Sequence, residues 1–248
     1  MSYSDQHYGA GQRDCEVCHG IGYIRYEVPP GHERFGKIYD CECRQSNTEE
    51  AIRLRAKLAG VGADGWKMDA DFWRIPERKA LEDAVKELAR DIGAGNVSGW
   101  LTLVTPLGLG KSAMGEWLVL QAVRAGHKAW FMTARDFKDA VSQHIEGDGT
   151  LLARAVDVKL LVFDQPDWTY GGKNGETYQE NMARDILDRR YRDRDSKATV
   201  LLVNLHAWEE RAESGLAAIF NRAEEGKILI SKAKGVRATL GEVVGGQA

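Results

Sequence analysis

Two groups of residues in this chain have the types and spacing to do chemistry. The first is Gly108, Gly110, Lys111 and Ser112, set between the apolar run Trp100-Leu-Thr-Leu-Val104 and a helix-forming segment that begins at Ser112. A phosphate chain is held by several backbone N–H groups converging on its oxygens, and glycines let a loop curl closely enough to supply them. The stretch Pro106, Leu107, Gly108, Leu109, Gly110, Lys111, Ser112 and Ala113 is expected to wrap such a chain. Lys111 then reaches the terminal phosphates, and the Ser112 hydroxyl ligates Mg²⁺. The pattern G-x-x-x-x-G-K-[ST] is met except at its first position, which is Thr105. The alternative is an ordinary strand-to-helix turn that contains a lysine.

The second group is the cysteines, all of which lie between 15 and 43. Cys15-Glu-Val-Cys18 and Cys41-Glu-Cys43 each present two thiolates to one side, and two such pairs complete a tetrahedral zinc shell. Because the second pair is C-x-C, His19 or His32 could replace one cysteine. The loop between the pairs is rich in Gly and Pro and has little with which to build a core. A zinc site contributes on the order of 10 kcal/mol, enough to staple so small a segment. Free thiols or a redox pair are the alternatives, and no coordination position is open for a catalytic water.

Further along, Leu160-Leu-Val-Phe-Asp164 is a buried-strand pattern ending in a carboxylate, where open parallel sheets bind ligands. Asp164 is expected to share the Mg²⁺ with Ser112. The next residue, where an acid would polarise an attacking water, is Gln165. An amide orients water but accepts no proton, so hydrolysis is expected to be slow with binding retained. Asn204, at the end of Thr199-Val-Leu-Leu-Val-Asn204, either senses the terminal phosphate or starts a turn. Arg222 is either an arginine finger or a solvated helix residue. The basic helix with Arg184, Arg189, Arg190, Tyr191, Arg192 and Arg194 is interleaved with Asp185, Asp188, Asp193 and Asp195, which favours a salt-bridged surface over a nucleic-acid face.

The elements that must carry these groups follow from periodicity. The chain of 248 residues, net charge -3, has room for one α/β domain and a small attachment. The charge argues against a wholesale polyanion-binding surface, and no signal peptide or apolar run of bilayer length is visible, so a cytoplasmic protein without membrane contact is expected. Ser46–Leu58 has a capping-box start. Gly60, Gly62 and Gly65 then suggest a linker. An aromatic segment, 66–75, leads into a helix over 76–91; its Phe72, Trp73 and Ile75 either cover an adenine ring or pack the helix. Beyond the phosphate loop, helices are expected over 112–125, 134–145, 151–156, 177–194 and within 208–225, with strands over 128–133, 159–164, 199–204 and 227–231. Such alternation predicts a parallel sheet covered on both faces. The expected organisation is a zinc-binding domain over 1–58, a linker and adenine-side lead-in over 59–75, and an ATPase domain over 76–248.

Together these motifs resemble those of the DnaC/IstB-like AAA+ ATPases, most of all the bacterial and phage replicative helicase loaders with an N-terminal zinc-binding domain. The residues that carry the resemblance are the cysteine pairs, Met68-Asp-Ala-Asp-Phe72, Gly-Leu-Gly110-Lys111-Ser112, Leu-Leu-Val-Phe-Asp164, Asp188-Arg-Arg-Tyr-Arg192, Val-Asn204-Leu and Asn221-Arg222. It implies an ASCE-type P-loop core without a separate lid and an ATPase using ATP and Mg²⁺. It further implies self-association into a ring or spiral with Arg222 facing a neighbour's ATP, Arg237 as a second sensor, a grip on a ring helicase through the zinc domain, and contact with single-stranded DNA. Within the same fold the rival is a transposition helper that binds duplex DNA and a transposase; outside it, a nucleotide-dependent binding module without turnover. Thr105 and Gln165 depart from the family pattern.

Overall fold

The computed structural model describes residues 16–18, 23–41, 49–62, 65, 68, 70–74, 76–166, 178–209 and 227–231, and the chain divides into two compact units, Met1–Arg55 and Ala56–Ala248. The first holds an antiparallel pair, β1 (Tyr23–Arg25) and β2 (Ile38–Asp40), with Ile24 opposite Tyr39. The Tyr26 and Tyr39 rings meet edge to face at 5.3 Å, and the Arg34 guanidinium lies 4.8 Å from the Tyr26 ring centre. Among the described residues of 16–41, only Cys18 and Cys41 are buried. Helix α1 (Glu49–Leu58) follows, and the Ser46 of the expected capping box lies outside the described residues.

The second unit contains α2 (Ala70–Trp73), a 3₁₀ turn (Pro76–Arg78), α3 (Lys79–Gly93), β3 (Gly99–Thr105), α4 (Lys111–Arg124), β4 (Ala129–Thr133), α5 (Ala134–Ile145), α6 (Thr150–Asp157), β5 (Leu160–Asp164), α7 (Tyr178–Arg192), β6 (Ala198–Asn204), α8 (Leu205–Glu209) and β7 (Lys227–Ile230). The strands form one parallel sheet in the order β4-β5-β6-β3-β7. Strands β3, β5 and β6 are buried nearly throughout, as continuous apolar runs covered on both faces must be. The helix expected over 76–91 begins as a 3₁₀ turn and runs on to Gly93; its buried face includes Leu81, Ala84, Val85 and Ile92.

Helix α4 packs closely on the sheet because Gly115 has no side chain. A Cβ there would stand 2.7 Å from Leu202 and 2.8 Å from Val162, both in the sheet. On the other face, Phe137, Phe163, Ile186, Leu187 and Trp208 belong to a single apolar cluster. Helix α5 starts with a complete capping box, the Thr133 hydroxyl accepting from the Asp136 N–H while the Asp136 carboxylate accepts from the Thr133 N–H. That satisfies orphan donors where strand passes directly into helix.

The glycine stretch read as a linker packs on this unit. The Phe131 N–H in strand β4 donates to the Ala59 carbonyl at 2.7 Å, so the turn after α1 covers the outer side of that strand. Gly60 has a φ of 84°, and any Cβ would run into the Phe131 carbonyl. The N–H groups of Gly62 and Gly65 both donate to Glu116 Oε2 of α4, at 3.0 and 2.9 Å.

The basic end of α7 resolves into two kinds of arginine. Arg189 pairs with Asp185 at 2.9 Å on the surface, the salt-bridged face the alternation predicts. Arg190 is wholly buried and donates to the Thr199 hydroxyl and to the carbonyls of Ala155, Val156, Val158 and Ala198. Burial pushes its pKa down to about 10, which leaves it charged at neutral pH. It ties the α6–β5 connection to the start of β6.

Candidate nucleotide site

Parallel strands end on the same side of a sheet, so Thr105, Asp164 and Asn204, the last residues of β3, β5 and β6, share one edge. In register, Thr105 lies beside Asn204, and Asp164 beside Leu202. Helix α4 starts just beyond β3, after the loop 106–110, and its first N–H groups have no acceptor within the helix. The sheet and helix thus bring the expected groups together.

The contacts are direct. Lys111, 4% exposed, donates from Nζ to Asn204 Oδ1 at 2.7 Å. The Ser112 hydroxyl donates to Asp164 Oδ2 at 2.8 Å. Asp164 is buried, and hydroxyl and carboxylate side by side form the oxygen set that a magnesium ion takes. Gly108 and Gly110 have φ values of 82° and 93°, the left-handed region where glycine carries no penalty. Leu109 is buried, whereas Leu107 is exposed at the loop tip. Thr105 continues β3, its hydroxyl donating to the Pro106 carbonyl at 3.0 Å, so the position where the motif expects glycine keeps strand geometry.

Gln165 sits immediately beyond Asp164 with a φ of 55°, the only non-glycine left-handed residue among those described. A side chain in that region costs on the order of 1 kcal/mol, and such costs collect at functional positions. The Gln165 N–H donates to the Leu202 carbonyl at 2.9 Å, which fixes the bend. Arg222 and Arg237 lie outside the described residues, as do Cys15, Cys43 and His19. Cys18 and Cys41 are the buried pair of the first unit; among the described residues, no cluster of three or more His, Cys, Asp or Glu side chains is placed to hold a metal.

Sequence reasoning missed two groups at this edge. Arg78, 6% exposed, donates from Nε to the Leu109 carbonyl at 2.8 Å and from Nη1 to the Phe72 carbonyl at 2.6 Å. Its guanidinium lies 4.0 Å from the Phe72 ring centre, and that ring packs so closely on Gly110 that a Cβ there would stand 2.8 Å from it. In the aromatic lead-in, Phe72 packs on the loop, and Trp73 meets Trp117 of α4 edge to face at 6.0 Å. The second missed group is Glu116.

No protein-family model matches the chain. An insertion-sequence IS21-like ATP-binding protein of Bacteroides fragilis is 27% identical over 119 residues, covering 47% of this chain and 44% of the relative. The chain thus spans less than half the length of that curated relative. Among solved structures, AMPPCP-bound DnaA from Aquifex aeolicus aligns with a TM-score of 0.53 at 16% identity, covering 68% of this chain and 51% of DnaA. The DnaC helicase loader aligns with a TM-score of 0.53 at 15% identity, covering 69% of this chain and all of that one. The chain shares with these two proteins an α/β fold, here built on a five-stranded parallel sheet. No helix among the described residues is long and apolar enough to cross a membrane.

Proposed function

We propose that the chain is an AAA+ ATPase that loads a replicative ring helicase onto DNA. The observation that carries the ATPase part is the meeting of Lys111 with Asn204 and of Ser112 with Asp164 at one sheet edge. The loop 106–113 would hold the phosphates of ATP. Ser112 and Asp164 would hold Mg²⁺, which neutralises charge developing on the phosphate oxygens. Asn204 would orient Lys111 and the attacking water, Gln165 would position that water without taking its proton, and Arg222 of a neighbouring copy would complete the site. Arg237 would serve as a second sensor. On this reading the chain retains ATP binding and hydrolyses slowly.

The resemblance to helicase loaders, and the likeness to the DnaC loader, support the partner reading: a ring helicase, single-stranded DNA, and self-association. Cys15, Cys18, Cys41 and Cys43 would hold the zinc ion that builds the gripping domain. Burial of Cys18 and Cys41 in a segment with no other buried side chain among its described residues fits inward-facing thiolates.

Calorimetry with ATP and Mg²⁺ tests the first half, and absence of binding leaves only a zinc-centred interaction protein. Capture of a hexameric replicative helicase by the full chain, observed by particle imaging with ATP, tests the second. The IS21-like relative favours one competing reading, a transposition helper. Selective binding of duplex DNA and a transposase, with no helicase contact, would establish that reading instead.

A further inference from the structure

We propose that Arg78 is a positioning residue for the phosphate loop, setting the direction in which the loop offers its N–H groups. This rests on the phosphate-binding reading of that loop. The Leu109 carbonyl and the Gly110 N–H belong to one planar trans peptide, so the two groups point in opposite directions. Arg78 Nε holds the carbonyl at 2.8 Å, on the side of the loop where Phe72 packs. The Gly110 N–H is thereby turned away from Arg78 and Phe72. Without that bond the glycine-rich loop has freedom to rotate the peptide. A carbonyl turned inward would set a negative dipole against a phosphate.

The rest of the contact keeps Arg78 in place. Nη1 donates to the Phe72 carbonyl, and the guanidinium plane lies over the Phe72 ring, so one side chain joins α2 to the loop. Burying a cation is costly unless its donors are used, and here carbonyls and a π face receive them. Lysine cannot reproduce this, because a single ammonium does not present a planar fork to two carbonyls and stack at the same time.

The experiment compares wild type, Arg78→Ala, Arg78→Lys and Lys111→Ala as full-length chains, using ATP and ADP with Mg²⁺. Calorimetry gives affinity, steady-state phosphate release separates KM from kcat, and thermal unfolding without nucleotide reports folding. Arg78→Ala is expected to weaken ATP and ADP together by about tenfold, equivalent to about 1.4 kcal/mol. KM should rise in step while kcat moves by less than threefold, a split that general loosening of the fold would not produce. Arg78→Lys should recover less than half of the lost affinity, and it decides the matter if the alanine variant does not fold. A dissociation constant for Arg78→Lys within twofold of wild type overturns the proposal and leaves the nucleotide site standing. If wild type binds no better than Lys111→Ala, the site reading fails and takes this inference with it.

Discussion

Lys111 is held by Asn204 at 2.7 Å, and an ammonium has three protons to give, so the same side chain can meet a phosphate without releasing the amide. Removing it in Lys111→Ala should weaken ATP binding at least about tenfold in calorimetry, the loss of a charge-assisted contact in a buried place. Gln165 calls for the opposite experiment. Gln165→Glu supplies a group that can accept a proton, a contribution typically of about 10²–10⁴-fold in rate, and phosphate release in single turnovers should rise accordingly. An unchanged rate would mean that the amide is not what limits hydrolysis. Lys111, Ser112, Asp164 and Asn204 were legible as candidates because a loop motif and strand-ending polar residues lie on a repeating frame. Arg78 and Glu116 were not: their partners are backbone groups, Leu109 and Phe72 for one and Gly62 and Gly65 for the other, and a carbonyl or an N–H has no sequence signature.

Whole elements are joined by a few such polar anchors. Glu116 fastens the 62–65 stretch to α4, one turn beyond Ser112, and its carboxylate is the acceptor for two N–H groups. Glu116→Ala should cost about 1–2 kcal/mol in urea unfolding, chiefly because the part-buried Gly65 N–H loses its acceptor while the exposed Gly62 N–H can turn to water, and Glu116→Gln should cost less. Arg190 acts at the opposite, amino-terminal edge of the sheet, where it serves carbonyls from α6, the α6–β5 connection and β6. Arg190→Met removes the donors and keeps much of the volume; it should destabilise by about 2–4 kcal/mol in the same measurement. Helices and strands themselves were largely readable from apolar spacing. At Gly60 a left-handed turn, and at Gly60 and Gly65 a close approach that a side chain would block, show that glycines serve docking as readily as flexibility.

At the scale of the molecule, the two units are built on different physics. The second closes a large apolar core around a sheet, whereas in the first the buried side chains among the described residues of 16–41 are two cysteines. The expected outcome for the purified full chain is about one zinc per molecule by atomic absorption. Chelation should remove helicase capture. Retention of capture after complete metal loss would show that the grip lies elsewhere. The parallel sheet was legible in the alternation of elements, and its order was not, since strand sequence alone does not say that β6 runs between β3 and β5.

The Phe72 ring against Gly110 also has a practical meaning. Its neighbour Trp73 meets Trp117 of α4, and the Lys86 ammonium sits 5.1 Å from the same indole. One ring thus lies between the loop and a pair of fluorophores whose emission depends on their surroundings. Intrinsic tryptophan emission, followed through a titration with ATP and Mg²⁺ and with no dye attached, is therefore the direct test of whether the loop answers to nucleotide.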